Sequence, residues 1–270
     1  MTSAVAPAKI NLALVVGPLR PDGKHELATV YQRVGLADHV ELELADRLHV
    51  DGFPEDTIVR QALETLAAEV GIEPAWRVRL TKQIPIAAGL AGGSSDAAAA
   101  LQLANATLPE PLGPERLHVL AARLGADVPL FLTRGPQLGL GDGGDLSPLE
   151  LPQGYAVLLL LPDGVRKEST ATVYRAFDER GGHAGFEQRR VALYQAIDRI
   201  ERPEDLAALP RNDLASSPLG ARLEELGAFR ADVTGAGPAV YGLFLDEQRA
   251  HDAARAVGPA GRTLVTTACW

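Results

Sequence analysis

Pro85–Ala100 reads PIAAGLAGGSSDAAAA. Before it, Arg77–Ile84 alternates apolar and polar residues and predicts a strand. After the loop, the run of alanines predicts a helix. A strand, a glycine-rich loop and a helix start in that order make an anion cradle. Glycine lets backbone approach a ligand and tolerates positive φ, and the first helical turn leaves N–H groups and a partial positive charge facing outward. The simpler alternative is a tight turn capped by Ser94 or Ser95. Gly89, Gly92 and Gly93 beside two serines favour phosphate. The loop lacks the G-x-x-x-x-G-K-[ST] spacing of a P-loop. It also lacks G-x-G-x-x-G after the first strand of an alternating series, which argues against a dinucleotide fold. The H-R-D and D-F-G elements of protein kinases are absent too.

Outward from the loop, Ala8–Gly17, Thr29–Leu36 and His39–Leu44 predict strands, and Ile58–Val70 and Glu115–Leu124 predict amphipathic helices closed by Gly71 and Gly125. Gly135–Pro152 is rich in glycine and proline and reads as a boundary, giving domains 1–150 and 151–270. Beyond it, Tyr155–Leu161 (YAVLLLL) is a continuous apolar run, as in a buried strand. Helices are expected at Ser169–Asp178, Val191–Ile200, Pro218–Leu226 and Glu247–Val257. Strands are expected at Ala228–Val233, Ala239–Leu245 and Thr263–Ala268. The order β, α, β, β, α, β, with extra helices in the first crossover, is the split-βαβ pattern of ferredoxin-like domains.

The 270 residues carry 26 basic and 35 acidic side chains, a formal net charge of -9. That balance argues against nucleic acid as a partner, although a local site can still take a small anion. One cysteine, Cys269, cannot by itself make an internal disulfide or a zinc cluster. No apolar run reaches the ~18–20 residues that span a bilayer, so no membrane association is expected. The first residues lack a basic n-region and a cleavage box, and the expected compartment is the cytoplasm.

Lysine is rare: four residues (Lys9, Lys24, Lys82, Lys167) against 22 arginines. Lys9 lies in an apolar strand, where a charge is costly unless it is paired or lines a cavity; a lysine reaching solvent from the strand entrance fits equally well. Asn11, two residues on, shares its face. Asp127, in LGADVPLF, is by position an N-cap for the turn that Pro129 begins. Asp232–Phe244 (DVTGAGPAVYGLF) places Gly235 and Gly237 in a tight turn between strands, locally a hairpin.

PAKINLAL at Pro7–Leu14, PIAAGLAGGSSDAAAA at Pro85–Ala100 and VTGAGPAVYG at Val233–Gly242 occur in the order of the three motifs of the GHMP small-molecule kinases, and the chain resembles that family over nearly its whole length. The resemblance implies an α+β two-domain fold, with an N-terminal domain like ribosomal protein S5 and a ferredoxin-like C-terminal domain. The N-terminal domain would bind ATP and carry catalysis, and the C-terminal one would complete the substrate site. It also implies transfer of the γ-phosphate of ATP to a small alcohol with Mg²⁺. PAKIN near the N-terminus, PDGKHELATVYQ, EDTIVRQA and LGADVPLFL resemble most closely the branch acting on the 2-hydroxyl of a cytidine-diphosphate-linked methylerythritol, in non-mevalonate isoprenoid synthesis. Other members acting on homoserine, mevalonate or a sugar, and a silent nucleotide-sensing relative, are the alternatives. PAKIN with GADVP argues against the first, and intact Lys9, Asp127 and glycine loop argue against the second.

By that resemblance Asp127 matches the catalytic base, and Lys9 the lysine beside it. Pro85, Ile86, Ala87, Ala88, Gly89, Leu90, Ala91, Gly92, Gly93, Ser94 and Ser95 match the ATP phosphate loop. Lys82 and Thr57 match positions touching adenosine, with Thr57 in place of a usual asparagine. Asn11, His25, Tyr31, Tyr174, Gly235 and Gly237 match the substrate site, with His25 at the cytosine edge. Lys24 stands where the family has a stacking tyrosine. The loop departs from the commoner PxGAGLGGGSS, and Ala91 is expected at negative φ. The metal ligands are unassigned; Ser94 and Ser95 are candidates. The expected partner is the small-molecule substrate, and the expected state a monomer or weak homodimer.

Overall fold

The structure, a computed structural model, describes residues 1–53, 58–165 and 169–269. They form two compact units that interleave along the chain. One comprises Met1–Ala8, Leu36–Ile86 and Ala91–Arg134; the other comprises Lys9–Gly35, Ala87–Leu90 and the chain from Gly135 onward.

In the first unit, β4 (Trp76–Thr81) alternates strictly, burying Trp76, Val78 and Leu80. It pairs antiparallel with the last part of β2 (His25–Leu44) and parallel with β3 (His49–Asp51). The apolar face of α1 (Ile58–Val70), formed by Val59, Ala62, Leu63, Leu66 and Ala67, is buried, as its spacing predicts. Gly71 and Ile72 close it by donating backbone hydrogen bonds to Ala68 and Ala67. α2 (Gly92–Asn105) is buried along most of its length by Ala97–Leu101 and Ala104, and small side chains let it lie close to its neighbours. α3 (Pro114–Leu124) starts on proline and buries Leu117, Leu120 and Ala121.

In the second unit, β7 (Ala156–Pro162) is the apolar run, with Val157, Leu158, Leu159 and Leu160 all buried. The sheet runs β10 (Gly261–Cys269), β7, β9 (Val240–Phe244), β8 (Arg230–Val233), every neighbour antiparallel. α6 (Pro218–Glu225) and α7 (Glu247–Val257) cover one face through Leu223, Ala250, Ala253 and Val257. This is the ferredoxin-like order read from the sequence. α4 (Thr170–Glu179) and α5 (Phe186–Ile197) fill the first crossover.

Two local readings change. The two strands expected at Thr29–Leu36 and His39–Leu44 are one strand, β2. The break expected at Ala37–Asp38 is absent; Gly35, inside the first stretch, permits close approach to β10, since a Cβ there would stand 2.7 Å from Thr266 Oγ1. The stretch Gly135–Pro152 contains a hairpin, β5 (Gln137–Gly141) and β6 (Asp145–Pro148), and β5 pairs with β2. Asp142 builds its turn by accepting the Gly144 N–H.

Each unit buries charge. In the second, fully buried Arg230 donates to the carbonyls of Leu206, Leu209 and Pro210 at 3.2, 2.7 and 2.9 Å. In the first, Lys82 donates to Asp38 at 2.5 Å and to Asp96, both carboxylates being buried. The other Asp38 oxygen accepts the N–H groups of Gln83 and Ile84. Burial works against the Lys82 ammonium, but the bonds to Asp38 and Asp96 outweigh it, and its pKa rises above the ordinary lysine value. A raised lysine pKa stabilises the fold fully below the unfolded-state pKa, and that contribution is lost as pH climbs through the folded one. Lys82→Met should therefore destabilise the protein by about 3 kcal/mol near neutrality, because it strands buried carboxylates. Urea unfolding at stepped pH should show the difference constant up to about pH 10 and shrinking above it; a difference that grows with alkalinity would refute this.

Candidate active site

β1 (Thr2–Leu19) carries Lys9 into the interior. Its side chain is buried, so it does not reach solvent from the strand entrance. Lys9 Nζ donates to Asn11 Oδ1 at 2.8 Å and lies 5.6 Å from the centre of the Tyr31 ring. Asn11 is held in turn: Nδ2 donates to Thr29 Oγ1 at 2.8 Å, and its backbone N–H donates to Thr234 Oγ1 at 3.1 Å. The Gly235 turn closes on the same spot, since a Cβ at Gly235 would stand 3.6 Å from Lys9 Nζ and 3.7 Å from Asn11 Oδ1. Lys9, Asn11, Tyr31 and Gly235 are thus brought together. Thr29 and Thr234 complete the group; they lie inside PDGKHELATVYQ and VTGAGPAVYG, but neither is singled out there as a site residue.

The glycine-rich loop meets this group at its middle. The Leu90 carbonyl accepts the Lys9 N–H, and the Ala88 carbonyl accepts the Ala239 N–H. Gly89 has φ +84, and a Cβ there would stand 2.3 Å from the Thr234 carbonyl, so no other residue fits. Gly237 also has positive φ and precedes a cis Pro238. The expectation of negative φ at Ala91 fails: Ala91 lies at +56 and Ala87 at +59. Both stand where the family pattern has glycine, and the chain adopts the left-handed backbone regardless. Ile86 and Ala87 are exposed, whereas Pro85 is partly covered.

Ser94 and Ser95 are not caps. α2 begins at Gly92 with Ala91 as its N-cap, no side chain caps it, and Ser95 N–H makes the first helical bond, to the Ala91 carbonyl. An N-terminus left without a side-chain cap or an acidic residue in its first turn suits an anion. Ser95 Oγ is buried with no hydrogen-bond partner among the described residues. Lys82 is held by Asp38 and Asp96; Asp96 directly follows the serines, but Asp38 carried no sequence signal. Asp127 is partly buried just ahead of a 3-10 turn, Pro129–Leu132, whose N-cap is Val128, so the capping position is not its own. Thr57 lies outside the described residues.

A second group forms around His25, which is buried and stacks on Tyr174 of α4, centroids 4.7 Å apart and rings inclined by 28°. Phe177 meets it edge-on at 5.9 Å, and His25 Nε2 lies 2.8 Å from Asp178 Oδ1. Phe177 and Asp178 follow Tyr174 at helical spacing, and no sequence motif singles them out. Lys24 points to Asp142 at 2.5 Å and is half exposed.

Among the described residues no helix is long and apolar enough to cross a membrane. Residues 57–135 match the GHMP kinases N terminal domain and residues 218–261 match GHMP kinases C terminal. A 4-diphosphocytidyl-2-C-methyl-D-erythritol kinase of Salinispora arenicola is 38% identical over 93% of this chain and 85% of its own. One from Desulfitobacterium hafniense is 38% identical over 91% and 88%. A crystal structure of 4-(cytidine 5'-diphospho)-2C-methyl-D-erythritol kinase superposes with TM-score 0.80 at 31% identity, covering both chains fully. A mevalonate kinase structure, at 14% identity and TM-score 0.78, shares the fold. These matches agree with the three motifs and the ferredoxin-like sheet: the chain has the two-domain α+β GHMP fold, is an ATP-dependent small-molecule kinase, and belongs to the 4-diphosphocytidyl-2-C-methyl-D-erythritol kinase family of GHMP kinases.

Proposed function

We propose that the protein phosphorylates the 2-hydroxyl of 4-diphosphocytidyl-2-C-methyl-D-erythritol with ATP and Mg²⁺, in non-mevalonate isoprenoid synthesis. The observation that carries this reading is Lys9, an ammonium buried against Asn11 and Tyr31 beside the Gly235 turn and the glycine loop. Asp127 is the general base. An alcohol is a weak nucleophile, and a carboxylate within hydrogen-bond reach takes its proton as the bond to phosphorus forms. Lys9 offsets the charge that develops in the transition state. The 85–95 loop and the uncapped α2 N-terminus cradle the ATP phosphates, and Lys82 and Thr57 contact the adenosine.

Among the described residues no group of three His, Cys, Asp or Glu forms a metal cage. That suits Mg²⁺, which binds through phosphates and one or two protein oxygens, and the buried Ser95 hydroxyl is a fitting ligand. When bound, Mg²⁺ neutralises charge on the phosphates. His25 reads the cytosine edge, with Tyr174 and Tyr31 as its aromatic surroundings. Residues 1–150 bind ATP and carry catalysis, and residues 151–270 complete the acceptor site. The enzyme works in the cytoplasm as a monomer or weak homodimer, without nucleic-acid or membrane partners.

ADP release should be substantial with the cytidylyl substrate and at background with homoserine, mevalonate and sugars; the reverse order would sink the assignment. Asp127→Asn should lower kcat by ~10²–10⁴ with the KM for ATP unchanged. A near-normal kcat would leave Asp127 a structural residue. Tyr174→Ala should raise the KM for the cytidylyl substrate about tenfold, the equivalent of ~1.4 kcal/mol of lost contact, and leave the KM for ATP alone. An unchanged acceptor KM would place the base elsewhere.

A further inference from the structure

Asn212 and Asp213 lie in the segment between the 3-10 turn Pro203–Ala208 and α6, outside every motif. Their backbone is fixed to β1: the Asp213 N–H donates to the Leu14 carbonyl at 2.9 Å, and Leu14 and Asn212 form a parallel bridge. Their side chains then point to different parts of the site.

Asn212 serves the Gly235 turn. Its Nδ2 donates to the Gly235 carbonyl at 2.7 Å and to the Val233 carbonyl at 2.9 Å, one on each side of Thr234. Its Oδ1 accepts the Leu214 N–H at 2.8 Å, which orients the amide. Its own N–H donates to Asp232 Oδ2 at 2.9 Å, so the start of the motif is held as well. The turn fixed this way is the one that closes on Lys9 and Asn11.

Asp213 serves the helix that carries Tyr174, Phe177 and Asp178. Its Oδ2 accepts from Arg189 Nε at 3.0 Å and from the Val16 N–H at 2.8 Å. Arg189 also donates to the carbonyls of Gly182, at 2.9 Å, and Ala184, in the connection from α4 to α5. Arg180, which ends α4, donates to the Asp213 carbonyl and lies over the Phe177 ring. Leu214 packs with Phe177, Val173 and Tyr174.

We infer that Asn212 and Asp213 are adjacent positioning residues with separate tasks, Asn212 setting the Gly235 turn for phosphoryl transfer and Asp213 setting α4 for the acceptor's base. The kinetic part of this inference rests on the function proposed above; the division of mechanical roles does not. A displacement of about 1 Å at a reacting group costs up to ~10²-fold in rate. A loosened α4 weakens acceptor binding without moving the reacting atoms.

The test uses the full chain and two readouts, amide exchange by mass spectrometry and steady-state kinetics with ATP and the cytidylyl substrate. Asn212→Ala should quicken exchange at 233–240, lower kcat about 10–100-fold and leave the acceptor KM within about twofold. Asp213→Ala should quicken exchange at 173–186, raise the acceptor KM about tenfold and leave kcat within about threefold. Two milder variants serve should these fail to fold. Asn212→Asp keeps the acceptor for Leu214 but deletes the donors to the turn, and should reproduce the kcat loss. Asp213→Asn keeps one acceptor and should recover part of the acceptor KM. Silent wild-type enzyme would count against the function alone, with exchange still deciding the roles. Both variants loosening the same segments, shifting kcat and KM together, or changing nothing would overturn the inference.

Discussion

Asn11 is the knot on which the second unit's site depends. Its amide oxygen accepts from Lys9, its amide nitrogen donates to Thr29 on β2, and its backbone donates to Thr234 beside the Gly235 turn. One residue thereby ties together three segments separated by up to 223 positions in sequence. It also makes a buried ammonium tolerable, since a charge taken out of water needs hydrogen-bond partners held in place. A neutral amide provides one without itself adding a countercharge.

The sheet, the helices and the glycine loop were legible because each rests on a short-range signal. β4 alternates, α1 repeats at helical spacing, and β7 is an unbroken apolar run. β2 reads as two strands in sequence because Asp38 interrupts the apolar run, and the partners that let it lie buried in a continuous strand, Lys82, Gln83 and Ile84, are distant in sequence. Within the site, Lys9 and Asn11 were visible as strand residues of one face. Thr29, Asp38, Phe177 and Asp178 were not, because their roles come from segments that meet only in the fold. Lys82 shows the same limit: its number was legible, but the carboxylates that clamp it were not.

The two units treat buried charge differently. Arg230 is satisfied chiefly by carbonyl oxygens of the preceding segment, suited to a planar fork of donors, with the Asp232 carboxylate farther off at 3.6 Å. Lys82 is satisfied by two carboxylates, so its surroundings carry more negative than positive charge.

The positive-φ alanines bear on how the phosphate loop is held. A left-handed alanine costs roughly 1–2 kcal/mol in the folded chain. Relative to glycine it also narrows the unfolded ensemble, which returns about 0.4–1 kcal/mol. At Ala87 and Ala91 the chain exchanges part of its freedom before folding for tension afterwards. The loop thus has fewer backbone states in which to wait for nucleotide, and at these positions glycine, asparagine and aspartate would be strained least and β-branched residues most. Valine or isoleucine at either would force the cradle open, whatever their compatibility with the neighbouring apolar sequence.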